Sequence, residues 1–309
     1  MIRGPDFLVV GMNKSGSYWL AAMLDAHPEI NCFPTLPGGK SGVGEPHFFD
    51  VLGSIDEDNG VKFVKSFTKT RNGYFADLVP YFNKISRNEL YNMFRDRYSQ
   101  WCDSFRKKRL VGEKTQEYIF YLDLIDYCYP VMKKICIVRD IKDRVVSFHF
   151  NEARKGRQDL TDNISDDFVD AFIKRANKEY SILNDYKGNM YCYTYESMKT
   201  EPQKMLVGIL EYLEVEVSED ISKNMVEAGS FERLSALDKL SEKKINSDAT
   251  GVETSNFSRK PGEELWNSQY RKGIVGDWRN HLTQVQADRM DLSVKEIKDR
   301  VFKKYNLTV

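Results

Sequence analysis

Short apolar runs alternate along the chain with longer segments whose apolar positions recur three or four residues apart. Phe7-Leu8-Val9-Val10 and Ile135-Cys136-Ile137-Val138 are continuous apolar stretches, the pattern of strands buried on both faces. Ile30-Asn31-Cys32-Phe33, Leu110-Val111-Gly112-Glu113 and Met190 to Tyr195 read as further strands. Helical spacing predicts helices from Trp19 to Leu24, Asn59 to Thr70, Leu90 to Phe105 and Tyr118 to Tyr127. More follow from about Asp143 to Lys155, Asp166 to Asn184, Glu201 to Glu214, Glu219 to Ala228 and Val285 to Tyr305. Pro28 stops the first helix, and the Gly/Pro-rich stretch from Pro34 to Gly44 is a loop. This alternation predicts a doubly wound, three-layer α/β/α sandwich on a mainly parallel sheet. Few linkers interrupt it, so residues 1–309 form one domain, with the polar stretch at about 234–270 read as a mobile surface lid.

The first strand runs into Gly11-Met12-Asn13-Lys14-Ser15-Gly16-Ser17-Tyr18-Trp19. A strand, a Gly/Ser loop and a helix N-terminus together make an anion site, because backbone N–H groups converge there and the helix dipole favours negative charge. Lys14 adds a cation, and Ser15 and Ser17 add hydroxyl donors. This chemistry suits the 5′ phosphate end of a nucleotide. The loop is not a Walker A sequence, because Lys14 precedes Gly16 instead of following it. Taken alone it also reads as an ordinary strand–turn–helix with a surface lysine. Arg139 ends the central strand, where ligands bind in open α/β sheets, and is placed for a second anionic group. Ser147, two turns into the next helix, can face the same way. Arg271-Lys272-Gly273 puts two cations before a glycine, as in a phosphate clamp. Glu45 and His47 flank Pro46, and an extended chain turns both side chains to one face; the same residues also suit a polar loop edge.

Composition narrows the field. Lys+Arg and Asp+Glu both number 46, and this balance argues against a general nucleic-acid or membrane-surface binder. The five cysteines form no C-x-x-C pair and sit among apolar neighbours, as buried reduced thiols do. The four histidines lack metal-ligand spacing, so no metal is expected. No signal segment opens the chain, and no apolar run nears the roughly 20 residues that span a bilayer. The expectation is a soluble, cytoplasmic protein, monomer or homodimer.

Three separated stretches resemble one family, the sulfotransferases that use 3′-phosphoadenosine 5′-phosphosulfate (PAPS). Lys14-Ser15-Gly16-Ser17-Tyr18-Trp19-Leu20 resembles the family's 5′-phosphosulfate loop, with Asn13 in place of the common proline. Arg139 to Ser147 is similar to its 3′-phosphate strand–helix, keeping the arginine–serine spacing of eight although Ile141 replaces a proline. Arg271-Lys272-Gly273-Ile274-Val275-Gly276-Asp277-Trp278 is similar to its R-K-G-x-x-G-D-W segment. The resemblance implies a P-loop-like fold and PAPS as sulfuryl donor, with adenosine 3′,5′-bisphosphate as product and no metal. It implies that Lys14 stabilises the leaving phosphate oxygen. It places adenine near Trp19, Tyr195 and Phe231, since Tyr195-Glu196-Ser197-Met198 and Gly229-Ser230-Phe231 also match. The phenol and steroid enzymes of the family carry a histidine after K-T, where this chain has Gln116. Glu45-Pro46-His47-Phe48-Phe49-Asp50 instead resembles the heparan-type carbohydrate enzymes, whose glutamate is the base, and Glu113-Lys114-Thr115 resembles their E-K-[ST]-P stretch without its proline. Glu45 is thus implied as base, His47 beside it, and Lys114 near the sulfate or acceptor. The resemblance implies a carbohydrate or small-molecule hydroxyl as acceptor, and it also takes in bacterial soluble enzymes. Two rivals stand beside this reading. An ATP–magnesium phosphotransferase would need a Walker lysine and a magnesium carboxylate, and neither is in place. A non-catalytic nucleotide-binding protein would tolerate loss of Lys14 or Glu45, and both are present.

Overall fold

The first strand, β1 (Phe7–Gly11), is buried along its whole length because apolar helices cover both of its faces. A computed structural model describes residues 3–33, 45, 47–53, 85–154, 163–236 and 272–308. The expected helix at 59–70, Arg271 and the expected lid beyond residue 236 lie outside the described residues. Strands β2 (Ile30–Phe33), β3 (Leu110–Lys114), β4 (Lys133–Val138) and β5 (Tyr191–Thr194) join β1 in the order β2-β3-β1-β4-β5, every pairing parallel. The mainly parallel sheet expected from the sequence is, among the described residues, wholly parallel.

Side-chain alternation along the strands sorts the core into two layers. Leu8, Val10, Cys136 and Val138 face one side. Helices α2 (Phe48–Gly53), α3 (Arg87–Ser104), α4 (Leu122–Cys128), α5 (Ile141–Arg154) and α6 (Asp166–Asp185) supply apolar side chains to that layer. Phe7, Val9, Ile135 and Ile137 face the other side, where α1 (Ser17–Asp25), α7 (Tyr195–Thr200), α8 (Pro202–Leu213) and α9 (Glu219–Ala228) lie. The last helix, α10 (Gln284–Lys304), packs on α6 in the first layer. Four cysteines are buried and Cys192 is half-buried, all with free thiols.

Two expected boundaries differ in ways that matter to the site. Tyr118 to Tyr127 is two elements: a 3-10 turn over Gln116–Tyr121, then α4. The break falls at Tyr121, whose φ of −129° and ψ of 24° are not helical. The tighter turn brings Gln116 and Tyr118 back against the end of β3. The last strand stops at Thr194, whose hydroxyl accepts from the Ser197 N–H and caps α7. Tyr195 therefore opens a helix at the carboxyl edge of the sheet.

From β1 the chain crosses to β2, returns through β3, and passes β1 again to reach β4. The strand order therefore reverses between β1 and β4. A crevice opens beyond their carboxyl ends, the usual ligand position of such sheets.

Candidate active site

Two strand ends build the site. Beyond β1, Lys14 takes a φ of 64° and Gly16 a φ of 96°, which tightens the loop enough to start α1 at Ser17. A Cβ on Gly16 would lie 2.8 Å from the Tyr195 ring, so only glycine lets the loop reach that ring. The loop is braced from beneath. Arg144, fully buried, donates from Nε to the Asn13 carbonyl at 2.8 Å and forms an ion pair with buried Glu179. Glu179 accepts from the Asn13 N–H at 3.3 Å and from Arg175 Nε at 3.0 Å.

Beyond β4, Arg139 reaches over to the same loop. Its Nη1 donates to the Lys14 carbonyl at 3.1 Å, and its guanidinium lies 4.2 Å from the centre of the Tyr195 ring. Its Nη2 also meets the Ile274 carbonyl, tying down the segment from residue 272. Asp143, on the first turn of α5, anchors that segment by accepting from the N–H groups of Gly276 (2.7 Å) and Trp278 (3.1 Å). Lys272 pairs with Asp277 at 3.0 Å.

One cavity of about 300 Å³ joins these pieces. Lys14, Gly16, Ser17, Tyr18 and Trp19 line one side, and Arg139, Ser147, Lys272 and Gly273 line another. Tyr195, Ser230 and Phe231 also line it, with Lys199 and Leu234 beside them, whereas Ser15 does not and Arg271 lies outside the described residues. Trp19 meets Tyr195 edge to face at 5.4 Å. Ser15 is buried behind the loop. Three buried polar atoms there lack a hydrogen-bond partner: Ser15 Oγ, Ser17 Oγ and Arg139 Nε. Buried donors without partners are costly unless a ligand completes them.

Glu45 and His47 come together, but not on the extended chain expected: His47 has a left-handed φ of 56°. Glu45 forms an ion pair with Lys114, which is fully buried at the end of β3. His47 Nε2 lies 3.5 Å from Glu45, and its Nδ1 lies 2.6 Å from Asp50. Burial works against a charged Glu45, but the Lys114 ammonium outweighs it and holds the carboxyl below its usual range. Burial also pushes Lys114 below the ordinary lysine range. Lys114 further rests on the Tyr18 ring, 3.0 Å from its centre, which ties the Glu45 side of the site to α1.

Several side chains at the site gave little signal in sequence. Gln116 accepts from the Lys14 N–H at 2.9 Å and lines the cavity. Arg144 and Glu179 meet only because α5 and α6 pack together. Asp143 had a weak signal, as the acidic first-turn residue four positions after Arg139.

A family model described as "Sulfotransferase domain" matches residues 4–305. The chain belongs to the sulfotransferase family. Over 177 residues it is 27% identical to rabbit (Oryctolagus cuniculus) amine sulfotransferase, covering 54% of this chain and 55% of that protein. Over 107 residues it is 32% identical to Arabidopsis thaliana cytosolic sulfotransferase 3, covering 33% and 29%. The chain therefore spans about half the length of the first of these relatives and less of the second. The crystal structure of mouse sulfotransferase SULT7A1 complexed with PAP superposes with a TM-score of 0.53 at 19% identity, covering 98% of this chain and 89% of that one. That likeness establishes a shared P-loop-like sulfotransferase fold. Among the described residues, no helix is long and apolar enough to cross a membrane, and no group of His, Cys, Asp and Glu is placed to hold a metal ion.

Proposed function

We propose that this chain transfers a sulfuryl group from PAPS to an acceptor hydroxyl on a sugar or small alcohol. The observation that carries the proposal is the single cavity lined both by the Lys14 loop and by Arg139, with buried Ser17 Oγ and Arg139 Nε lacking partners beside it. A donor phosphorylated at both 3′ and 5′ positions matches two such anion sites in chemistry. The residues fit it: Lys14, Ser15, Gly16 and Ser17 would hold the 5′ end. Arg139, Ser147 and Lys272 would hold the 3′ phosphate; the family resemblance adds Arg271, which lies outside the described residues. Trp19, Tyr195, Ser230 and Phe231 would enclose the adenine. PAP in the mouse relative's structure supports this choice of nucleotide.

When bound, PAPS supplies an activated sulfuryl group. Lys14 offsets the charge that grows on the leaving phosphate oxygen, a task worth roughly 10²–10³ in rate for a preorganised donor. Glu45 takes the acceptor hydroxyl proton. Lys114 keeps Glu45 ionised, and His47, held by Asp50, fixes its second oxygen. Sugar acceptors are favoured by the Glu45–His47–Asp50 arrangement, which follows the heparan-type stretch.

Thermal shift tests the donor. Adenosine 3′,5′-bisphosphate (PAP) at about 100 times its dissociation constant should stabilise the protein by roughly 2.7 kcal/mol. ATP with magnesium should not match it; the reverse ranking would point to a phosphotransferase. Glu45→Gln should abolish PAPS turnover and leave PAP affinity intact. Retained turnover would remove Glu45 as the base.

A further inference from the structure

Gln116 stands at the seam between the two halves of this site. It opens the 3-10 turn after β3, half-buried and lining the cavity. Its Oε1 accepts from the Lys14 N–H at 2.9 Å, and its Nε2 donates to Glu45 Oε1 at 3.4 Å. The same Glu45 oxygen receives Lys114. One primary amide thus touches the backbone of the donor loop and the carboxylate on the acceptor side. A neutral side chain that both accepts and donates is required, because an N–H waits on one side and a carboxylate on the other.

We infer that Gln116 is a positioning residue that fixes the distance and orientation of Glu45 relative to the Lys14 loop. The inference rests on the sulfuryl-transfer reading. In that chemistry the acceptor oxygen must approach sulfur from the side opposite the leaving oxygen. The proton-accepting carboxylate must therefore sit at a set distance from the loop that holds the leaving phosphate. A shift of about 1 Å in such an arrangement costs on the order of 10² in rate. Gln116 is thereby hydrogen-bonded both to the backbone of that loop and to Glu45.

Gln116→Glu separates the two halves of the role. A carboxylate still accepts from the Lys14 N–H, but it opposes Glu45 with like charge. Two carboxyls at hydrogen-bond distance cannot both ionise easily, so one of them titrates higher. Gln116→Ala removes both contacts.

The test uses the full chain with 13C-labelled glutamate side chains and 15N-labelled backbone, with PAP as the binding probe. The Glu45 carboxyl resonance, identified by its loss in Glu45→Gln, should titrate about one unit or more higher in Gln116→Glu than in the natural protein. The Lys14 amide should exchange with solvent about tenfold faster in Gln116→Ala and at the natural rate in Gln116→Glu. A glutamine that merely filled space would leave the Lys14 exchange rate unchanged in Gln116→Ala. An unchanged Glu45 titration in Gln116→Glu, or an unchanged Lys14 exchange rate in Gln116→Ala, overturns the inference. Failure of the natural protein to bind PAP would instead sink the sulfuryl-transfer reading, so the two failures are distinguishable.

Discussion

Glu113 is fully buried at the end of β3, directly before Lys114. Its carboxyl accepts hydrogen bonds from the hydroxyls of Tyr98, Thr115 and Tyr118. Tyr118 in turn accepts from the Phe48 N–H at 2.8 Å, docking the start of α2 and so the chain just past Glu45 and His47. Burial pushes Glu113 up to about 7, against the three hydroxyl bonds that lower it. The unfolded chain ionises this group near the ordinary value of 4.5, so between about 4.5 and 7 the folded state binds more protons than the unfolded state. Its contribution to stability is complete below about 4.5 and is lost as pH rises through about 7. The loss amounts to about 3 kcal/mol at one pKa unit per 1.36 kcal/mol. Glu113→Gln should therefore flatten the fall in melting temperature between pH 5 and pH 8. An unchanged slope would show that Glu113 is ionised throughout. The motif residues Lys14, Arg139, Ser147 and Glu45 were legible because each sits at a fixed offset within a local pattern. The contacts of Glu113 and Gln116 were not, because they depend on partners brought in by folding. Gln116 was noticed only as the position where related enzymes have a histidine.

Among the elements, pattern located most strands and helices but not their ends. Periodicity reports which residues face a core, whereas ends depend on single caps such as Thr194. The shortening of β5 moved Tyr195 from a strand to the start of a helix, where its ring reaches Gly16 and Arg139. The β1–β3 pairing is similarly specific. Phe7 is registered opposite Gly112, and a Cβ on Gly112 would fall 2.0 Å from the Phe7 ring. The strand interior accepts a glycine there because the phenyl ring occupies the space. Gly112→Ala should destabilise the protein by about 1–3 kcal/mol, the usual cost of overpacking, seen as a lower denaturant midpoint. The paired change Phe7→Leu with Gly112→Ala should recover part of the loss. A single variant as stable as the natural protein would contradict the packing described. The interlocked position could not be read from sequence, because parallel register is set by segments about 100 residues apart and not by a turn.

For the whole molecule, the parallel sheet was legible from buried strands alternating with helices. Its order was not, because one sequence pattern is compatible with several strand permutations. The observed order, β2-β3-β1-β4-β5, puts the reversal between β1 and β4. That placement makes neighbours of Lys14 and Arg139, 125 residues apart, and Asp143 then brings residues 276 and 278 to the same rim. The zero formal net charge hides this local gathering of cations. Such a cavity should read the two phosphates of one nucleotide separately. Isothermal calorimetry with PAP and with adenosine 5′-monophosphate, on the natural protein and on Arg139→Gln, tests this most directly. PAP should bind at least about tenfold more tightly than the monophosphate to the natural protein, since a hydrogen bond to a charged group is worth about 1.5–3 kcal/mol. In Arg139→Gln that advantage should vanish while affinity for the monophosphate is largely kept. Equal affinities of the natural protein for the two nucleotides would contradict the account.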